Sequence, residues 1–114
     1  MTNPLRNEVA ITLAGKERTM RADFGAIVAI ERDTRRSMLQ HQLRGDISVT
    51  DMATIILRGL EAAGDKSLSL DQIGNAILDA GMSSEAIYKP VIEFIDKSTA
   101  GFSVGKPEEA PAKS

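Results

Sequence analysis

The stretch Glu8-Val9-Ala10-Ile11-Thr12-Leu13-Ala14-Gly15-Lys16-Glu17-Arg18-Thr19-Met20-Arg21-Ala22 decides the fold. Val9, Ile11 and Leu13 recur at every second residue, the pattern of a half-buried strand. A second strand, residues 17–22, follows across Gly15-Lys16, which suits a two-residue type II′ loop because Gly stands first. That loop predicts Leu13 opposite Arg18, Thr12 opposite Thr19, Ile11 opposite Met20 and Val9 opposite Ala22. One face of the hairpin is then largely apolar, and a slip by one residue would mix the faces. A lone hairpin is marginally stable in water, so its apolar face must lie on helices or on another chain.

Outward from the hairpin the chain reads as short capped helices. Asp23 is a good N-cap for a helix beginning at Phe24, with Phe24, Ile27 and Val28 on one stripe and Ile30 beside it. Asp33-Thr34 interrupts it. A second piece carries Met38, Leu39 and Leu43, and Gly45 suits a left-handed C-terminal cap. Ser48 caps a third helix whose stripe is Met52, Ile55, Ile56, Gly59 and Leu60. Gly59 costs roughly 1 kcal/mol relative to Ala in a helix and makes sense where a neighbouring backbone comes close. Ser69 and Gln72 form a capping box for a fourth helix, with Leu70, Ile73, Ile77 and Ala80 inward and Gly81 at its end. Ser83 or Ser84 caps a fifth, striped by Ile87, Tyr88, Val91, Ile92 and Ile95. Pro90 within it predicts a kink, or a helix that starts near Pro90.

The expected class is mainly α (α+β): an N-terminal two-stranded antiparallel hairpin packed on a bundle of four to five short helices. Residues 1–7 are expected to be flexible. Residues 8–100 form a single domain, with the hairpin at 8–22 and helices over 23–100. Residues 101–114 are expected to be a disordered C-terminal tail, since nothing after Val104 can build a core.

Composition narrows the function. The net charge of −2 argues against a general phosphate-binding surface, because nucleic-acid affinity rests on clustered Lys and Arg. The chain has no cysteine, hence no disulfide, thiolate metal site or cysteine nucleophile. That suits a cytoplasm. The start of the chain lacks the apolar run of a signal peptide, and no window reaches the ~18 apolar residues of a membrane span.

A search for chemistry finds no reactive constellation. His41 is the sole histidine, and its helical i+4 neighbour is Gly45, so it is expected to be a surface or half-buried residue and no zinc ligand. No nucleophile elbow and no Gly-rich phosphate loop is present. Carboxylates are dispersed, several at helix starts where capping explains them. Arg32, Arg35 and Arg36 share a helical face and read as a solvated surface balanced by Glu31 and Asp33. Helices three and four do not suit a helix-turn-helix, because the fourth carries no Lys or Arg. The expectation is therefore no enzyme: no catalytic residue, no cofactor, no metal, no small-molecule substrate, no nucleic acid and no membrane. Partner-binding candidates are the adaptable side chains Met20, Met38, Met52 and Met82, with Phe102 and Val104 at the edge of the tail.

The order of segments carries more. NPLRNEVAITLAGKERTMRADFGAIVAIE, then GDISVTDMATIILRGLEAAG, then IGNAILDAGMSSEAIYKPVIEFI together resemble the gene-transfer-agent and phage family of small tail proteins, labelled either tail tube protein or tail-assembly chaperone. The resemblance covers roughly residues 3–100. Its most specific pieces are Asn3-Pro4-Leu5-Arg6, Asp23-Phe24-Gly25 and Leu57-Arg58-Gly59-Leu60. It implies a chaperone that binds the tape-measure protein and helps recruit tail-tube protein during assembly of a non-contractile tail, in the cytoplasm of the bacterial host. It transfers no catalytic residue. Self-association through the hairpin edge is a further expectation. The alternatives are a structural tail protein retained in the particle and, less favoured, a small helical DNA-binding regulator. The short strand content argues against a tube subunit, because tube rings are built from continuous sheet.

Overall fold

The computed structural model describes residues 7–104, and within them the chain is α+β. Strands β1 (Glu8–Leu13) and β2 (Lys16–Arg21) form one antiparallel two-stranded sheet. Helices α1 (Phe24–Thr34), α2 (Met38–Arg44), α3 (Val49–Ala62), α4 (Leu70–Ala80) and α5 (Glu85–Val104) follow. The centre is α3, which packs against α1, β2 and α4, while α5 packs against β1 and α2. The apolar face of the hairpin thus lies across α3 and α5.

The hairpin register differs from the expected one by two residues. Leu13 faces Lys16, Ile11 faces Arg18 and Val9 faces Met20. The turn residues are Ala14 and Gly15, both at positive φ (52° and 77°), the pattern of a type I′ turn. A slip of two leaves each side chain on its own face, so hydrophobic alternation cannot distinguish the registers. The type I′ turn matches the right-handed twist of the strands, and it sets Glu8 opposite Arg21, whose Nη2 lies 2.7 Å from the carboxylate. These gains offset the roughly 1–2 kcal/mol that a left-handed alanine costs.

Four of the five helix starts are capped by a side chain. Asp23 accepts from the Ala26 amide, Ser48 from the Asp51 amide, and Ser69 and Gln72 complete a capping box. Ser37 and Gln40 form a second capping box on the same Ser-x-x-Gln pattern, passed over in the sequence. At α5 the Ser84 carbonyl accepts from the Ile87 and Tyr88 amides, but its buried hydroxyl has no hydrogen-bond partner, so the expected serine side-chain cap does not form. Helix α1 ends at Thr34 with Arg35 left-handed, and α2 ends at Gly45, φ 73°. Helix α5 runs without interruption through Pro90 from Glu85, so it does not start near Pro90. Pro90 removes one hydrogen bond, to the carbonyl of exposed Ala86, while Ile87 and Val91 on either side are buried. The same helix continues to Val104, four residues into the segment expected to be disordered. Residues 1–6 and 105–114, and with them most of the expected flexible termini, lie outside the described residues.

The core is aliphatic, with Phe94 its one buried aromatic among the described residues. Ile55, Ile56 and Leu60 of α3 meet Ile11, Leu13, Met20 and Phe94 in one continuous cluster. Gly59 lies where these elements come closest. A Cβ there would stand 2.8 Å from a Phe94 ring carbon and 2.9 Å from the Met20 Cβ. The close neighbours are thus side chains of β2 and α5, where the sequence suggested backbone.

Several stripes are rotated from their expected orientation. Ala26 and Ile30 of α1 face the core, leaving Phe24 and Val28 exposed. An ion pair from Arg58 of α3 to Asp33, 2.7 Å long, ties α1 in that orientation. In α2, Met38 and His41 are inside while Leu39 and Leu43 face out. In α4, Ile73 and Ile77 are inside while Leu70 and Ala80 are exposed.

Candidate functional site

The polar side chains mostly hold the fold together. Arg18 of β2 reaches the α3–α4 connection, donating to Asp65 at 2.8 Å and to the Ser67 hydroxyl at 2.9 Å. The hydroxyl and amide of Ser67, joined by the Arg18 guanidinium, hold the Asp65 carboxyl down to about 2. Arg21 donates to Glu8 and to the carbonyl of Ala62 at the end of α3. Glu31 accepts from the Met38 amide at 2.8 Å and so joins α1 to the start of α2.

His41 is buried, where sequence placed it at or near the surface. Its Nε2 lies 3.0 Å from the Thr34 hydroxyl, which itself donates to the Ile30 carbonyl. Thr34 and His41 thus share a hydrogen bond that joins the end of α1 to α2. Burial lowers the His41 pKa, with Asp51 opposing, Arg36 reinforcing and Glu31 opposing. Arg32, Arg35 and Arg36 do not form one helical face, because Arg35 lies past the helix end. Arg32 pairs with Asp33 and Arg36 with Asp51. Among the described residues no group of His, Asp and Glu is placed to hold a metal ion. No described helix is long and apolar enough to cross a membrane.

The methionines are used differently from their reading as surface contacts. Met20, Met38 and Met52 are fully buried, so a partner meeting the folded chain does not reach them. Met20 opposes Gly59, and all three belong to the core cluster. Met82 is half-buried against that cluster. Phe102 and Val104 fall in the last turn of α5, outside the side chains that are described.

The accessible apolar surface comes from other residues, which the sequence reading had turned inward or passed over. Phe24 is 81% exposed, Leu43 75% and Leu78 63%, and Val28, Leu39, Leu70 and Tyr88 are partly exposed. Most form i, i+4 or i, i+8 pairs on the outer faces of α1, α2 and α4. The signal was present as apolar residues one step off each buried stripe. The Leu70 and Leu78 pair borders a groove between two helices. Leu70, Gly74 and Leu78 of α4 line a groove of about 520 Å³ opposite Val49 and Ala53 of α3. Chemically the arrangement offers apolar area and a few carboxylates, which is the equipment of a binding surface.

A family model described as phage tail tube protein, GTA-gp10, matches residues 6–99. No curated protein and no solved structure matches the chain.

Proposed function

We propose a role in tail assembly for this chain, which belongs to the phage tail tube protein, GTA-gp10 family: it acts as an assembly chaperone that binds the tape-measure protein and helps recruit tail-tube subunits. The observation that carries the reading is the distribution of secondary structure. Two strands of six residues each form the whole described sheet, while the rest is short helices with leucines on their outer faces. A ring-forming tube subunit needs more strand than this, whereas outward leucines suit capture of amphipathic helices. The chain transforms no molecule in this reading and works in the cytoplasm of the bacterial host.

Co-expression with the long tape-measure protein of the same tail, followed by pull-down, tests the role. A stable complex, with this chain absent from purified particles, is the expected outcome. The family's description as tube protein favours a second reading, a structural component retained in the particle. Failure to capture the long protein, together with stoichiometric amounts of this chain in purified particles, would establish that second reading instead.

A further inference from the structure

The groove between α3 and α4 has a chemistry that specifies its occupant. Leu70, Gly74 and Leu78 fall at i, i+4 and i+8, so the apolar bank runs about 12 Å, two turns of helix. At its midpoint a Cβ on Gly74 would meet nothing within 4 Å. The floor is therefore open, and a second helix can approach the α4 backbone closely. One residue round the helix runs another stripe: Asp71 and Asn75 line the groove, and Asp79 stands beyond its outer edge, towards the hairpin turn. Among the described residues neither carboxylate has an ion pair or hydrogen bond, and α4 contains no Lys or Arg. Asp71 lies in the first turn, where the helix dipole welcomes an anion. Asp79 lies in the last turn, where the dipole opposes it and no basic residue compensates. A cation from outside would relieve that position.

We propose that the α3–α4 groove binds an amphipathic helix of a partner protein whose apolar stripe is flanked by Lys or Arg. The assignment rests on the chaperone reading for the source of the helix, and on charge complementarity for its chemistry. A second copy of α4 would set carboxylate against carboxylate, which disfavours symmetric pairing through this face. The chain's own exposed Leu39–Leu43 pair lies on a seven-residue helix whose terminal Arg44 is already paired with Asp46, so it is a poorer match.

The test titrates the full chain with two labelled helical peptides of identical Leu/Ala face, one flanked by Lys and one by Glu. The Lys peptide is expected to bind at least tenfold tighter, with the difference shrinking in high salt. Replacing Asp71 and Asp79 together by Lys should reverse the preference. Gly74→Leu fills open space on a helical backbone, so it should fold normally and weaken the Lys peptide at least tenfold. Equal binding of both peptides, or undiminished binding to Gly74→Leu, overturns the proposal. So does sedimentation showing a dimer of the native chain that Gly74→Leu dissolves, because the occupant would then be a second copy. The long tail protein serves as a separate readout. Its capture by both native chain and Gly74→Leu would leave the chaperone role standing and remove the groove from it. Selective binding of the Lys peptide without capture would do the reverse.

Discussion

The hairpin and helix α4 both rest on α3, but they are attached by different means. The hairpin is fastened by buried Met20, by Arg18 to Asp65 and by Arg21 to the Ala62 carbonyl. Helix α4 inserts Ile73 and Ile77, and among the described residues none of its side chains hydrogen-bonds to another element. Its leucines at 70 and 78 remain in solvent. One attachment spends its side chains on stability, and the other leaves them available. The contrast predicts large stability effects on the hairpin side and small ones on the outer face of α4.

Truncation at the junction of α5, α3 and β2 should have the largest effect. Phe94→Ala removes a fully buried ring and is expected to cost about 4 kcal/mol, read as a fall in the urea midpoint. Leu78→Ala, on the exposed bank of the groove, is expected to change stability by under about 0.5 kcal/mol. Comparable losses at both positions would erase the distinction between the two attachments.

The two helical glycines carry the same contrast with opposite signs. Gly59→Ala gains helix propensity but drives a methyl into Met20 and Phe94, for a net loss of about 2 kcal/mol. Gly74→Ala meets open space and should gain up to about 1 kcal/mol. Thermal melts of the two variants, shifted in opposite directions, check the pair.

Acid should loosen the tied regions through two groups. The folded pKa of Asp65 lies below its unfolded value, so its stabilisation is complete above about pH 4 and is lost as pH falls towards about 2. Asp65 is a quarter exposed, and after allowance for solvent that contribution is about 1–2 kcal/mol. His41 is held neutral by burial, so folding disfavours its protonation and stability declines as pH drops below the ordinary histidine value near 6.5. Unfolding curves between about pH 7 and about pH 2 should show two declines. His41→Gln should flatten the upper one and Asp65→Asn the lower one.

Much of this architecture is legible in the residues. The hairpin, three helix starts and the ends at Thr34, Gly45 and Gly81 follow from alternation, from Asp23, Ser48 and Ser69, and from the Asp33-Thr34 break and the two glycines. What failed was orientation. A helix of 11 residues with apolar side chains on more than one stripe can turn either towards the core. In α1 the face that is buried packs on α3 and is accompanied by the Asp33–Arg58 contact 25 residues away, neither of which the local pattern contains. Phe94 was passed over for the same reason, since Ile95 beside it made an equally regular stripe. The groove is a tertiary object: Leu70 and Leu78 acquire meaning only when Val49 and Ala53 are set across from them.

A further small effect concerns the register of the hairpin, which sets Glu8 opposite Arg21. The observed turn holds Ala14 at φ 52°, a left-handed conformation that Asn tolerates far better than Ala. Ala14→Asn should therefore stabilise the chain by about 0.5–1 kcal/mol, read as a rise in melting temperature. With the turn at Gly15-Lys16, Ala14 would sit in extended strand, where Asn is disfavoured, and the same substitution would destabilise. The sign thus separates two registers that present identical faces. A stabilising result keeps Glu8 opposite Arg21, and with it the guanidinium that grips the end of α3. A destabilising result would move Glu8 from opposite Arg21 and loosen that grip, leaving Arg18 to Asp65 and apolar contact to hold the hairpin.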